Sequence, residues 1–387
     1  MLDESQLDTP DVLTRADTGG LLRGAAEAGA RVRTAARQAH DVGIDALEPD
    51  GRPRSVLVAG HGSVTACAAD LLEALGNGTV TVNLLQPTGA LPVPGALRWT
   101  LPGWAGPLDL LLLASQTGDE PGLTALTDQA YRRGCTVVTV APPRTPVAEA
   151  VTDTHGLAVP LAPGPSAPAR PDGPLETSVH RTPATPGTLW AFLTPFLALT
   201  ERLGLLSAPR DALDALADRL DAVAERCGPV VETHSNPAKT LATELSGALP
   251  LLWSEGPVAG AAARHCAGVL AARAGRPALT SPLPEAIDAH GRLLADTFAA
   301  GGAEDDFFRD RVETSESLHT RIVLLRERPP GANSAVVAAR DLAHTRDTPL
   351  SELEPAEGSG PLEVAAELIA TLDFASVYLA LSARDAS

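Results

Sequence analysis

Val56-Leu57-Val58-Ala59 is an unbroken apolar run that ends in Gly60-His61-Gly62-Ser63-Val64-Thr65 and passes into a helical pattern from Ala66 to Leu72. A strand that is apolar on every side has both faces covered, the mark of a parallel sheet flanked by helices. In such folds ligands bind at the carboxyl edge of the sheet, where this strand ends. Gly60 and Gly62 permit a sharp turn and a close approach of backbone to ligand. Ser63 and Thr65 bring hydroxyls and backbone N–H groups to the start of a helix, a seat for an anion. The same residues equally suit a plain strand–turn–helix joint with Ser63 as its N-cap.

A second run, Leu108-Asp109-Leu110-Leu111-Leu112-Leu113-Ala114, ends in Ser115-Gln116-Thr117-Gly118-Asp119-Glu120 before another helical pattern. Two hydroxyl- and glycine-rich strand ends in one half of the chain can converge on a single phosphate. Neither turn is a Walker loop, because no Gly-Lys-Ser/Thr follows, and neither has the glycine spacing of a dinucleotide site.

These motifs resemble the two phosphate-binding turns of the sugar isomerase (SIS) domain. Asn236-Pro237-Ala238-Lys239 and Ala375-Ser376-Val377-Tyr378-Leu379-Ala380 resemble the bifunctional phosphoglucose/phosphomannose isomerase branch, which carries two such domains. The resemblance runs over nearly the whole chain after about Ser55. It implies an α/β fold of two doubly wound SIS-like domains, each a parallel sheet flanked by helices, plus an N-terminal helical arm.

The chain divides on this reading into an arm (residues 1–50), a first SIS-like domain with a proline-rich exit loop (51–186), a second SIS-like domain (187–345) and a closing segment (346–387). Residues up to about 20 read as an acidic, irregular lead, and Leu21–Ala36 as one alanine-rich helix. Strands are expected at Val56–Ala59, Val80–Leu85, Leu108–Ala114, Thr136–Val140 and Leu157–Leu161, then near Leu249–Trp253, Ala278–Thr280 and Thr320–Leu325. Helices are expected at Thr65–Leu75, Gly122–Arg133, Leu189–Leu205 (between the domains), from Ser207 as N-cap, and at Lys239–Leu245, Val258–Ala274, Pro284–Ala299, Asn333–His344 and Pro361–Ser382. The exit Ala141-Pro142-Pro143 reads as hostile to a helix, and Pro160–Pro186 as a loop.

The chain has 387 residues, of which 44% are hydrophobic and 3% aromatic, so its cores must be built from Leu, Val and Ala. A formal net charge of -18 argues against nucleic acid and against an anionic membrane surface. The closing segment reads as too polar at its start and too interrupted to span a bilayer. No signal peptide is read at the N-terminus. Cys67, Cys135, Cys227 and Cys266 are widely spaced in apolar contexts and read as reduced core residues of a cytoplasmic protein. Lys239 is the only lysine, held either by chance or for a compact ammonium that arginine does not reproduce.

The resembled enzymes interconvert aldose and ketose 6-phosphates with a phosphate anchor, a carboxylate base and a ring-opening histidine. The resemblance makes Gly60, Gly62, Ser63, Thr65, Ser115, Thr117 and Gly118 the anchor. Arg264, Pro277-Ala278 and Leu283-Pro284-Glu285 align with family landmarks, and counting from them places Ala271 or Ala272 where the family has its glutamate and Asp288 where it has its histidine. The family's arginine before the helix at Leu189 is missing, with Pro183 near its place and Arg181 close by. Asp288, Glu285 and His265 are the substitute acid–base candidates. His290, beside them, reads as a surface or capping residue, and His61, His234, Lys239 and Arg264 are further site candidates. No metal-ligand spacing occurs and no cofactor is implied. The expected partner is a hexose 6-phosphate, and the expected assembly a homodimer. Three readings follow: a sugar-phosphate binding protein without the isomerase residues, an active isomerase using displaced groups, or an SIS scaffold that only dimerises.

Overall fold

The computed structural model describes residues 4–46, 51–89, 94–162, 164, 184–295, 319–332 and 334–384. Arg181, Pro183 and most of the proline-rich stretch lie outside them, as do Asn333 and the last four residues of the expected helix Pro284–Ala299. By contact the chain forms two units, one of Thr18–Glu225 and one of Met1–Asp17 with Arg226–Ser387. Residues read as a single arm are therefore shared between the two. The irregular lead is in fact two short helices, α1 (Glu4–Leu7) and α2 (Pro10–Ala16). α2 starts with proline at its first position, where the missing N–H costs nothing.

In the continuous unit the expected single helix is two, α3 (Leu21–Ala26) and α4 (Ala28–Asp41), separated at Glu27. β1 (Ser55–Gly60), α5 (Ser63–Gly76), β2 (Thr81–Leu85), β3 (Asp109–Ala114), α6 (Pro121–Arg132), β4 (Thr136–Ala141), α7 (Pro146–Asp153), β5 (Leu157–Pro160), α8 (Thr188–Arg202) and α9 (Arg210–Cys227) follow. The five strands form one parallel sheet in the order β2-β1-β3-β4-β5. Every residue of β1 and β3 is buried, as the unbroken apolar runs require. Leu57, Ala59, Leu111, Leu113 and Val137 point to one face and pack on Leu123, Leu126, Val147 and Val151 of α6 and α7. α8 packs on α4 and α5 within this same unit, with Trp190, Phe192 and Phe196 buried. α9 begins at Arg210, and the Pro209 carbonyl accepts from the N–H groups of Ala212 and Leu213, so Ser207 lies outside the cap position assigned to it.

The discontinuous unit adds α10 (Pro237–Leu245), β6 (Leu249–Glu255), α11 (Pro257–Ala274), β7 (Leu279–Pro282), α12 (Glu285–Ala295), β8 (Thr320–Arg326), α13 (Val336–Thr345), β9 (Leu350–Leu353) and α14 (Pro361–Arg384). Its parallel sheet runs β7-β6-β8-β9, the order of the first four strands of the other sheet. Leu251, Trp253, Ile322 and Leu324 pack on Ala286, Val336 and Ala339 of α12 and α13. α14 packs on α10 and α11. Over Pro361–Ser382 it is long and apolar enough to cross a bilayer, with mean hydropathy 1.7, so the reading of it as too interrupted is corrected. Its apolarity has another cause here, since 94% of that window is buried inside the protein. The four cysteines are buried and none is in a disulfide.

Candidate functional site

The parallel register brings the two glycine-rich turns together. Gly60, the last residue of β1, pairs with Ala114, the last residue of β3, so the chain leaves adjacent strands at the same level. His61 from the first turn then lines one recess with Ala114, Gln116, Glu120 and Phe192. The space between them is about 10 Å³, room for one water and too small for a phosphate.

The individual groups divide by role. Gly62 lies at φ 89 with nothing close to where a Cβ would point, and it precedes the half-buried Ser63 at the start of α5. That turn is open, and Gly62 stands at the cap position with no side chain to close the helix end. Gly60 serves packing, because a Cβ there would meet the Ala114 carbonyl at 2.4 Å and the Thr65 hydroxyl at 2.8 Å. Thr65 is fully buried and its hydroxyl donates to the His61 carbonyl at 3.4 Å, so it does not face a ligand as the sequence suggested.

The second turn is internally bonded. The Ser115 hydroxyl accepts the Gly118 N–H at 2.7 Å and donates to the Glu120 carboxylate. The Thr117 hydroxyl donates to Asp119 and, at 3.3 Å, to Glu120. Gly118 is held at φ 73 against Thr145, whose hydroxyl would stand 2.1 Å from a Cβ. Glu120 is only 2% exposed. The sequence motif contains this residue without marking a role for it. Its signal was a glutamate at an N-cap, immediately before the proline that opens α6, where Ser, Thr, Asp or Asn is preferred.

The acid–base candidates belong to the other unit and are not assembled as one set. Glu285 and Asp288 are exposed in the first turn of α12. His265 lies on α11, buried, with Nε2 3.2 Å from the Asp373 carboxylate of α14, and Arg273 Nη1 donates to the same oxygen at 2.8 Å. Burial alone would raise the Asp373 pKa, but Arg273 and His265 more than offset it and hold it at about 2. This buried trio ties α11 to α14, with His265 turned to Asp373. His290 is buried too, its Nδ1 accepting the Trp253 indole N–H at 2.8 Å; burial lowers its pKa.

Lys239 likewise turns inward. It is fully buried, and its ammonium donates to the carbonyls of Pro229 at 2.9 Å and Val231 at 2.7 Å. Nζ lies 5.7 Å from the Tyr378 ring centroid and 3.7 Å from Asp8. Asp8 also accepts the N–H and hydroxyl of Thr233, at 2.8 and 2.7 Å. Asn236 caps α10 by accepting the N–H groups of Ala238 and Lys239. The Asn-Pro-Ala-Lys motif is thus a structural knot among α10, α14 and the N-terminal helices. His234 is exposed, 3.5 Å from Glu232, and Arg264 is exposed on α11.

Two parallel sheets that share one order over four strands, each with its first strand running through a glycine turn into a helix, give the chain an SIS-like α/β fold. Residues 234–384 match the family model of the bacterial phospho-glucose isomerase C-terminal SIS domain. The residues before them share only a fold with the solved structures that follow. The chain is similar to the C-terminal domain of glucosamine-fructose-6-phosphate aminotransferase from Francisella tularensis, with TM-score 0.55 and 10% identity over 96% of this chain and 95% of that one. A provisionally named phosphosugar isomerase from Clostridium difficile 630 superposes with TM-score 0.58 and 10% identity, covering 95% and 94%. The hypothetical protein TT0462 from Thermus thermophilus gives TM-score 0.58 and 14% identity, covering 96% and 89%. At these identities the likeness is one of fold. No curated protein matches the chain.

Proposed function

We propose that the protein binds a hexose 6-phosphate at the carboxyl edge of its first sheet and does not isomerise it. The observation that carries this reading is the pairing of Gly60 with Ala114, which delivers both turns to one recess. The same two turns carry the Gly62–Ser63 helix start and the Thr117 hydroxyl, groups an anion uses. The absence of turnover rests on Ala271 and Ala272, which can move no proton, and on the turning of His265 to Asp373. Asp288 is exposed on α12, with no enclosing pocket described around it to hold a substrate's carbons. The expected state is a cytoplasmic homodimer, and light scattering checks the mass.

A second reading, an SIS scaffold without a ligand, is favoured by the small volume of the recess. Thermal unfolding with glucose, mannose and fructose 6-phosphates, against inorganic phosphate, separates the two. Stabilisation by at least one sugar phosphate supports binding, and no response from any of them supports the scaffold. A coupled isomerase assay should show no turnover. Turnover that is lost in Asp288→Asn would instead restore the active-isomerase reading.

A further inference from the structure

The recess already holds an anion that belongs to the chain. Glu120 stands at the N-terminal boundary of α6 yet makes no cap bond to its own helix. Its carboxylate turns inward and takes the hydroxyls of Ser115 and Thr117. Those are two of the donors that a phosphate at this turn would need. Asp119 engages the Thr117 hydroxyl as well, so two negative charges flank the seat.

The other unit also holds a carboxylate at this sheet edge, though by different bonds: backbone N–H groups of a helix start rather than hydroxyls of its own turn. Its strand order makes β6 and β8 the counterparts of β1 and β3. Glu327 directly follows β8, as Ser115 follows β3, and its carboxylate accepts the Ala259 N–H at 3.0 Å in the first turn of α11. Gly256, at φ 105, makes room for it, since a Cβ there would lie 2.3 Å from the Glu327 carboxyl carbon. Burial raises the Glu327 pKa, opposed by backbone N–H groups of that same turn. Each half thus places its own carboxylate where the first two crossovers meet.

We propose that Glu120 is the resident anion of the first-sheet seat and that a ligand's phosphate binds by displacing it. This rests on the sugar-phosphate reading and gives that site a selection rule. With Glu120 seated, an incoming phosphate meets like charge in a space for one water. When the Glu120 side chain swings out to solvent, the hydroxyls of Ser115 and Thr117 pass to the phosphate. The displacement costs every ligand the same amount. Only a molecule with further contacts through its sugar overcomes it, so free inorganic phosphate is discriminated against.

The test compares wild type, Glu120→Ala, Glu120→Gln and Ser115→Ala/Glu120→Ala by calorimetry and thermal unfolding, with inorganic phosphate, glucose 6-phosphate and formate as probes. Glu120→Ala is expected to bind inorganic phosphate at least about tenfold more tightly than wild type, about 1.4 kcal/mol. Phosphate and formate are both expected to raise its melting temperature more than that of wild type, and the added Ser115→Ala to abolish the gain. Glu120→Gln, isosteric and uncharged, is expected to lie between, and it carries the comparison should Glu120→Ala not fold. If glucose 6-phosphate binds wild type and both Glu120 variants alike, the displacement is wrong while the binding reading stands. If formate stabilises Glu120→Ala but no phosphate binds any variant, the turn is a closed carboxylate cap, and both ideas fail.

Discussion

Lys239 is the sharpest place to set chance against physical necessity. It is the one lysine in a chain that otherwise uses arginine for its basic residues. Its ammonium holds two carbonyls of the loop before α10 at 2.9 and 2.7 Å, at a fully buried position. Burial lowers its pKa, partly countered by Asp8, so the cation is costly there and its bonds must offset that cost. Lys239→Met keeps most of the stem packing and removes the charge. Two charge-assisted bonds, each about 1.5–3 kcal/mol, are lost while the desolvation penalty is relieved, for a net loss of about 2–3 kcal/mol. Lys239→Arg keeps the charge but forces a planar fork into a space shaped for a compact head, at about 1–3 kcal/mol. For a unit of this size Lys239→Met lowers the melting temperature by roughly 4–12 °C and Lys239→Arg by roughly 2–12 °C. The assay is urea unfolding followed by the fluorescence of Trp253, buried in the same unit. If Lys239→Arg unfolds at the wild-type midpoint, the lysine is an accident of coding and the knot argument is refuted.

Acid unfolding should pass through Asp373. With its pKa at about 2 in the folded state against an ordinary 3.8, the carboxylate stabilises the fold fully above the ordinary value and loses that contribution as pH falls toward 2. The difference corresponds to on the order of 2 kcal/mol, so Asp373→Asn should be less stable at pH 7 and show a flatter decline between pH 5 and 2.5 in denaturant titrations. The glycines of the two turns should differ in kind. Gly62→Ala faces open space and carries only the strain of φ 89, about 1–2 kcal/mol. Gly118→Ala adds a collision with Thr145 and should cost more in thermal unfolding, part of which Thr145→Ala restores; equal losses at the two positions would contradict the packing.

The strands were legible because buried parallel strands are continuous apolar runs, and β1, β3, β6 and β8 all read that way. β9 was missed because an edge strand need not be apolar: Leu350-Ser351-Glu352-Leu353 is half-buried, and its Glu352 pairs with Arg326 and Arg340. α7 was missed because Pro142-Pro143 suggested a loop, although Pro146 sits at a first helical position where it is tolerated. The glycine turns were legible from local chemistry alone. The states of Lys239, His265 and Glu120 were not. The partners of the first two are Asp8 and Asp373, brought near only by the tertiary fold. Glu120 has its partners within five residues, yet whether a carboxylate so placed turns outward to cap or inward to fill depends on the recess beneath it.

The knot at Asp8 also orders events in time. Its unit is assembled from residues at both ends of the sequence, with Thr18–Glu225 threaded between them as an uninterrupted insert. During synthesis the insert is complete before the other sheet has begun, while α1 and α2 must wait for α10 and α14, which follow the insert in the sequence. Translation should therefore expose an intermediate with one half folded and a short leading strap still undocked.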